Sequence, residues 1–224
     1  MRSRRIYSHR MRAEERLIRS QQIKSAYKTI HIICEGETEC AYFRKLSQDL
    51  RLSSVIVHKG NGSAPISIVA QAISLAEKEP DIDHIFCVFD KDEHESFERA
   101  SHCLIGYQLQ KANNIIPNIK IFTSIPCFEI WLLLHFAYST KSYIAIRNKS
   151  AADHLLGDLQ KHLPEYKKGA NVAWYNQLVD KQVIALMNAK RLQRYNLETQ
   201  SNNPATNIHE LIAFLQSSGG SGGG

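Results

Sequence analysis

Two short apolar runs, each ending in acids, restrict what this chain can become. They are Ile30-His31-Ile32-Ile33-Cys34 before Glu35-Gly36-Glu37-Thr38-Glu39, and Ile85-Phe86-Cys87-Val88-Phe89 before Asp90-Lys91-Asp92. Runs of this length, rich in β-branched residues, read as buried strands of a parallel sheet. In open α/β sheets the ligand site lies just past the carboxyl ends of the strands, so these acids stand where chemistry is expected. Gly36 after Glu35 supplies a turn that lets backbone approach a ligand closely. Carboxylates converging from two strand exits repel one another and need a cation, and hard oxygen donors select magnesium or manganese. The expected metal ligands are Glu35, Asp90, Asp92 and Glu39, the last standing one turn beyond Glu35. Structural roles stand beside this reading. An aspartate at a strand end caps the next helix, and Glu39 in a first turn suits the helix dipole.

A strand is expected over residues 29–34, then a helix with Thr38 as N-cap and Tyr42, Phe43, Leu46 and Leu50 facing inward. Val55 to His58 reads as a second strand. The loop Lys59-Gly60-Asn61-Gly62-Ser63 fits neither the Walker nor the dinucleotide pattern and reads as a plain turn into a helix opened by Pro65. His84 to Phe89 and Ile119 to Thr123 supply two more strands, with a helix carrying Phe97, Ala100, Leu104 and Tyr107 between them. Strands alternating with helices argue a mainly parallel sheet flanked by helices.

Pro126 to Phe136 reads as a buried helix, apolar nearly all round. Glu129 within it is conspicuous, because a buried carboxylate must be paired or bound to metal. His135 reads as a satisfied core histidine. Beyond Tyr138 the chain is polar and helical, with segments at 161–168 and 174–192, a break at Asn203-Pro204 and a last helix at 208–215. The organisation expected is a basic arm (1–28), an α/β core (29–138), a helical part packed on it (139–216) and a flexible glycine-serine linker (217–224).

Composition bounds the function classes. With 43% hydrophobic and 22% charged residues over 224 positions, one sizeable globular core is expected. The longest aliphatic-aromatic run, Ile130 to Leu134, is far too short to cross a bilayer, and the amino terminus lacks an apolar signal core, so no membrane association and a cytoplasmic location are expected. Five cysteines without a Cys-x-x-Cys pair read as free, buried thiols. The net charge is +6, and residues 1–28 hold nine Lys or Arg against two Glu. Such an arm either steers a phosphate backbone or is a solvated surface helix.

Five motifs in order, Glu35-Gly36-x-Thr38-Glu39, Asp90-x-Asp92, Phe128-Glu129-x-Trp131-Leu132-x-x-His135-Phe136, Tyr166-Lys167-Lys168 and Asn203-Pro204-Ala205-Thr206, resemble RloB, a Toprim-related family of prokaryotic defence proteins. The resemblance implies a Toprim-like Rossmannoid fold with a C-terminal helical extension, and magnesium held by Glu35, Asp90 and Asp92 for phosphoryl-transfer chemistry. Related OLD-type nucleases imply Glu39 as a further metal ligand, with Glu129 and Lys168 joining Glu35 as catalytic residues. One departure stands out: Ile125 replaces an asparagine that the family carries in a Ser-Asn-Pro before Phe-Glu.

The implied activity is metal-dependent hydrolysis of DNA or RNA, tRNA included. The implied setting is antiphage abortive infection beside an ABC-type ATPase partner, with a homo-oligomer left open. A catalytically silent sensor or adaptor subunit is the alternative. A haloacid-dehalogenase-type phosphatase, with Asp90 as nucleophile, fits less well: His94 stands where that pattern continues with Thr or Val, and Glu35 has no use in it.

Overall fold

The computed structural model describes residues 28–62, 64–79, 81–91, 95–112, 114 and 116–219; the basic arm before Lys28 and Asp92 lie outside the described residues. Strands β1 (Ile30–Cys34), β2 (Val55–Lys59), β3 (His84–Asp90) and β4 (Asn118–Ile125) run parallel, and β5 (Ala205–Thr206) pairs antiparallel with β4. The sheet order is β2-β1-β3-β4-β5. Every residue of β1 and Ile85 to Phe89 of β3 are buried. Central strands of a parallel sheet are covered on both faces, which is why these runs lack polar alternation.

The helices are α1 (Glu37–Asp49), α2 (Pro65–Lys78), α3 (Glu95–Gln110), α4 (Glu129–Leu133), α5 (Ala151–Leu159), α6 (Asn176–Val179), α7 (Gln182–Thr199) and α8 (Ile208–Gly219), with a 3₁₀ turn at Ala173–Tyr175 before α6. On one sheet face Ile33, Ile85, Cys87 and Phe89 meet Ile68 and Val69 of α2 and Ala100 and Leu104 of α3. On the other, Ile30, Ile32, Phe86 and Val88 share a larger core with Phe43 of α1, Trp131 of α4, Leu155 of α5, Leu192 of α7 and Leu211 of α8. The chain is therefore α/β, and its last third completes a core that its first third begins.

Several local expectations are corrected. Pro126 to Phe136 is helical only over Glu129–Leu133, its ends tightened by three-residue turns such as Trp131 N–H to the Phe128 carbonyl (2.9 Å) and Phe136 N–H to the Leu133 carbonyl (2.9 Å). The segment 161–168 is a run of turns, because Pro164 has no N–H to donate and its ring clashes with a preceding helical turn. The stretch 174–192 divides into the 3₁₀ turn, α6 and α7. All five cysteines are free, but Cys103 is exposed. Among the described residues no helix is long and apolar enough to cross a membrane.

The unforeseen β5 explains the Asn203-Pro204-Ala205-Thr206 motif. Its two residues are too few to show a period. They buttress the end of β4, with the Ser124 and Thr206 hydroxyls 3.0 Å apart and the Thr123 N–H donating to Asn207 Oδ1 (2.7 Å). Asn203 donates to the Tyr143 carbonyl through Nδ2 (2.7 Å) and accepts the Tyr143 N–H at Oδ1 (3.1 Å). Ser124 pairs in register with Asp90, so this edge holds β4 in line beside an acid.

Candidate functional site

The chain passes from β1 to β2 on one side and then crosses to β3 on the other, so the crevice between the carboxyl ends of β1 and β3 is the topological switch point where open α/β sheets bind ligands. Backbone pairing joins the two exits. The Glu35 N–H donates to the Val88 carbonyl (2.9 Å), and the Asp90 N–H donates to Glu35 Oε2 (3.1 Å).

Gly36 follows in extended backbone and holds the cap position of α1, which begins at Glu37 without a side-chain cap. A Cβ on Gly36 would collide with the Glu39 carboxylate, so the missing side chain is what lets Glu39 fold back over the turn. Thr38, expected as the cap, lies inside the helix. Its Oγ1 instead accepts the N–H of Gly169 (2.8 Å), clamping onto α1 a segment 131 residues away. Gly169 has φ +125, a backbone state that a Cβ disfavours.

That segment supplies Lys168. Its ammonium lies 3.1 Å from Glu129 Oε2, while the Tyr166 hydroxyl donates to Glu129 Oε1 (2.8 Å). The expected pairing of buried Glu129 is thus found, through a tyrosine that carried no predicted role. No side-chain period marks such a partner in sequence, because it comes from a turn. Glu35, Glu39, Asp90, Glu129 and Lys168 together line one cavity of about 210 Å³.

Electrostatics in the cavity favour a cation. Desolvation, followed by repulsion from Glu129 and Glu35, pushes the Glu39 carboxyl up to about 7. Asp90 is raised well above the ordinary range by desolvation and then by Glu39, Glu129 and Glu35. Burial works against the Lys168 charge, but Cys127 and the carboxylates of Glu129 and Asp90 outweigh it and raise its pKa. Among the described residues Asp90 Oδ1 and Glu129 Oε2 are buried with no hydrogen bond, and the latter faces the Lys168 charge. Among the described residues no three His, Cys, Asp or Glu side chains are already gathered as a chelate. The acids ring the cavity, and their hard oxygens and orphaned Oδ1 suit Mg²⁺ or Mn²⁺.

Two flanking features lie outside the lining of the cavity. In the glycine loop after β2 the Gly60 N–H donates to the Cys34 carbonyl (2.7 Å) and the Asn61 N–H to Gln71 Oε1 (2.8 Å). His135 is buried, and bonds the Trp131 carbonyl through Nδ1 (3.0 Å) while Nε2 has no partner. Among the described residues it is only half satisfied, and burial lowers its pKa to about 4, so it stays neutral.

No curated protein and no solved structure matches the chain. A family model described as RloB-like protein matches residues 30–215, a span that contains every acid named above and Lys168.

Proposed function

The chain belongs to the RloB-like family, and on that footing we propose that it is a divalent-metal-dependent nuclease with a Toprim-type active site. The observation that carries the reading is the meeting of Glu35, Glu39, Asp90 and Glu129 at the switch point, with a buried Asp90 oxygen left without a donor. Glu35, Glu39 and Asp90 would hold the metal, and the family resemblance adds Asp92, which lies outside the described residues. A bound Mg²⁺ or Mn²⁺ supplies Lewis acidity and an acidified water for phosphodiester hydrolysis.

The chain's own residues do the rest. Glu129 is held on both oxygens, by Tyr166 and by Lys168, and it keeps the lysine beside the acids. Lys168, half exposed, reaches the reacting phosphate and offsets the charge that grows on it. The family resemblance adds the setting: an effector of antiphage abortive infection, acting with an ABC-type ATPase on DNA or RNA.

The Lys168–Glu129 ion pair also favours a second reading. A built-in cation lets an acid cluster persist without metal, as a silent sensor or adaptor subunit would require. Incubating the protein and its ATPase partner with mixed DNA and RNA in Mg²⁺ or Mn²⁺ separates the two. The nuclease reading expects chelator-sensitive cleavage that Glu35→Gln and Asp90→Asn each reduce roughly a hundredfold or more. Cleavage that survives chelator, or full activity in both variants, overturns it.

A further inference from the structure

A second concavity, of about 270 Å³, is lined in part by Tyr166. Leu163 and Trp174 form its apolar floor, and Glu165, Lys167, Asn171 and Gln177 stand exposed around it. It shares no lining residue with the acid cavity, but Tyr166 and the chain that follows it connect the two. Tyr166 lines the concavity, packs edge-on against Trp174 with ring centroids 5.3 Å apart, and donates its hydroxyl to Glu129. The next residues along the chain, Lys167 and Lys168, lead from this concavity into the acid cavity.

We propose that this concavity takes one unpaired nucleobase of the strand whose phosphate lies among the acids. The inference rests on the nuclease reading and names the part of its substrate that is recognised.

The chemistry of the lining selects the occupant. A base has a flat apolar face and a polar edge, which suits an apolar floor with an amide rim. Asn171 Oδ1 is used by the Ala173 N–H (3.0 Å), so its amide nitrogen, which makes no hydrogen bond among the described residues, is the group left for a ligand. The Gln177 amide makes no side-chain hydrogen bond among the described residues either. The indole N–H of Trp174, a residue only 5% exposed, is itself buried and has no acceptor among the described residues. Glu165 on the rim repels a phosphate and accepts from a base amino group, whereas Lys167 suits the adjoining backbone phosphate. A base enters such a slot only from a single strand or after flipping from a duplex.

Labelled single-stranded DNA and RNA oligonucleotides, titrated in chelator so that binding is read without cleavage, test this. Each base in turn is replaced by an abasic residue, and wild type is compared with Ala173→Trp, which fills the concavity from an exposed position, and with Asn171→Ala. At one position, base removal is expected to weaken wild-type binding roughly tenfold. Ala173→Trp should bind the intact strand as weakly as wild type binds the abasic one, with an unchanged melting temperature, and Asn171→Ala should show an intermediate loss.

Equal binding of every abasic strand, wild-type affinity in Ala173→Trp, or no binding of any strand overturns the proposal. The acid-site reading is judged separately, by the cleavage lost in Glu35→Gln. The preferred backbone in the titration identifies the substrate as DNA or RNA.

Discussion

Glu39 carries a pH signature of its own. Its carboxyl is raised from 4.5 to about 7, so the folded protein binds that proton more tightly than the unfolded chain does. Its contribution to stability is therefore full below about pH 4.5 and is lost as the pH rises through about 7, amounting to at most about 3 kcal/mol. Asp90, raised in the same sense, adds to the slope. Without metal, the melting temperature should fall as pH rises from about 5 to about 8. Glu39→Gln should flatten that fall and stabilise the metal-free protein at neutral pH, and a slope unchanged in this variant would place the titration elsewhere. Much at this scale was legible in sequence. Glu35 and Asp90 announce themselves because each closes a run of buried strand residues, and Glu129 because it interrupts an apolar segment. Thr38 misled, since a threonine four residues past a strand looks like a cap, and only the approach of Gly169 shows otherwise. Tyr166 stood in a recognised motif, but nothing in sequence says which atom its hydroxyl meets.

At the scale of elements, the site depends on how one segment without regular structure is fastened. Residues 166–169 are held by Thr38 on α1, by Tyr166 on Glu129 and by Gln160 Nε2 donating to the Tyr166 carbonyl (3.2 Å). Thr38→Val keeps the shape of the side chain but removes the acceptor for the Gly169 N–H. It should cost about 1 kcal/mol of stability and lower cleavage by more than that loss explains, because Lys168 is no longer held. Gly169→Ala meets no neighbouring atom, but strains a φ of +125, and should have a similar effect. Melting curves and single-turnover rates on both variants decide this. Wild-type rates in both would free Lys168 of any need for positioning. The four parallel strands and the first three helices were readable because period and punctuation agree there. The segment 161–168 was not, because its lysines and leucine mimic a helical face while Pro164 forbids one.

For the whole molecule, acids that repel one another in the folded state make a bound cation a stabilising ligand. Added Mg²⁺ or Mn²⁺ should raise the melting temperature with ion concentration, by mass action. Glu35→Gln and Asp90→Asn should abolish that rise while leaving the metal-free protein as stable or more so. A full rise in both variants would place the ion elsewhere. The role proposed for the basic arm is one of longer range. Deleting residues 1–24 should weaken nucleic-acid binding and flatten its salt dependence without unfolding the core, and an unchanged salt slope would deny the arm this part.

The clamp from Thr38 to Gly169 has a further consequence, because it ties together residues far apart in the order of synthesis. A ribosome delivers the four acids by Glu129, but their cation only at Lys168. The helices that close the larger core around Trp131 follow later still, up to Leu215. A nascent chain therefore carries its acid cluster for some time without the lysine that offsets it. Its amino-terminal strands cannot bury one of their two faces until the last helix emerges. Completion of the site thus waits on the later part of the chain, and a chain broken off after α4 holds the four acids without Lys168.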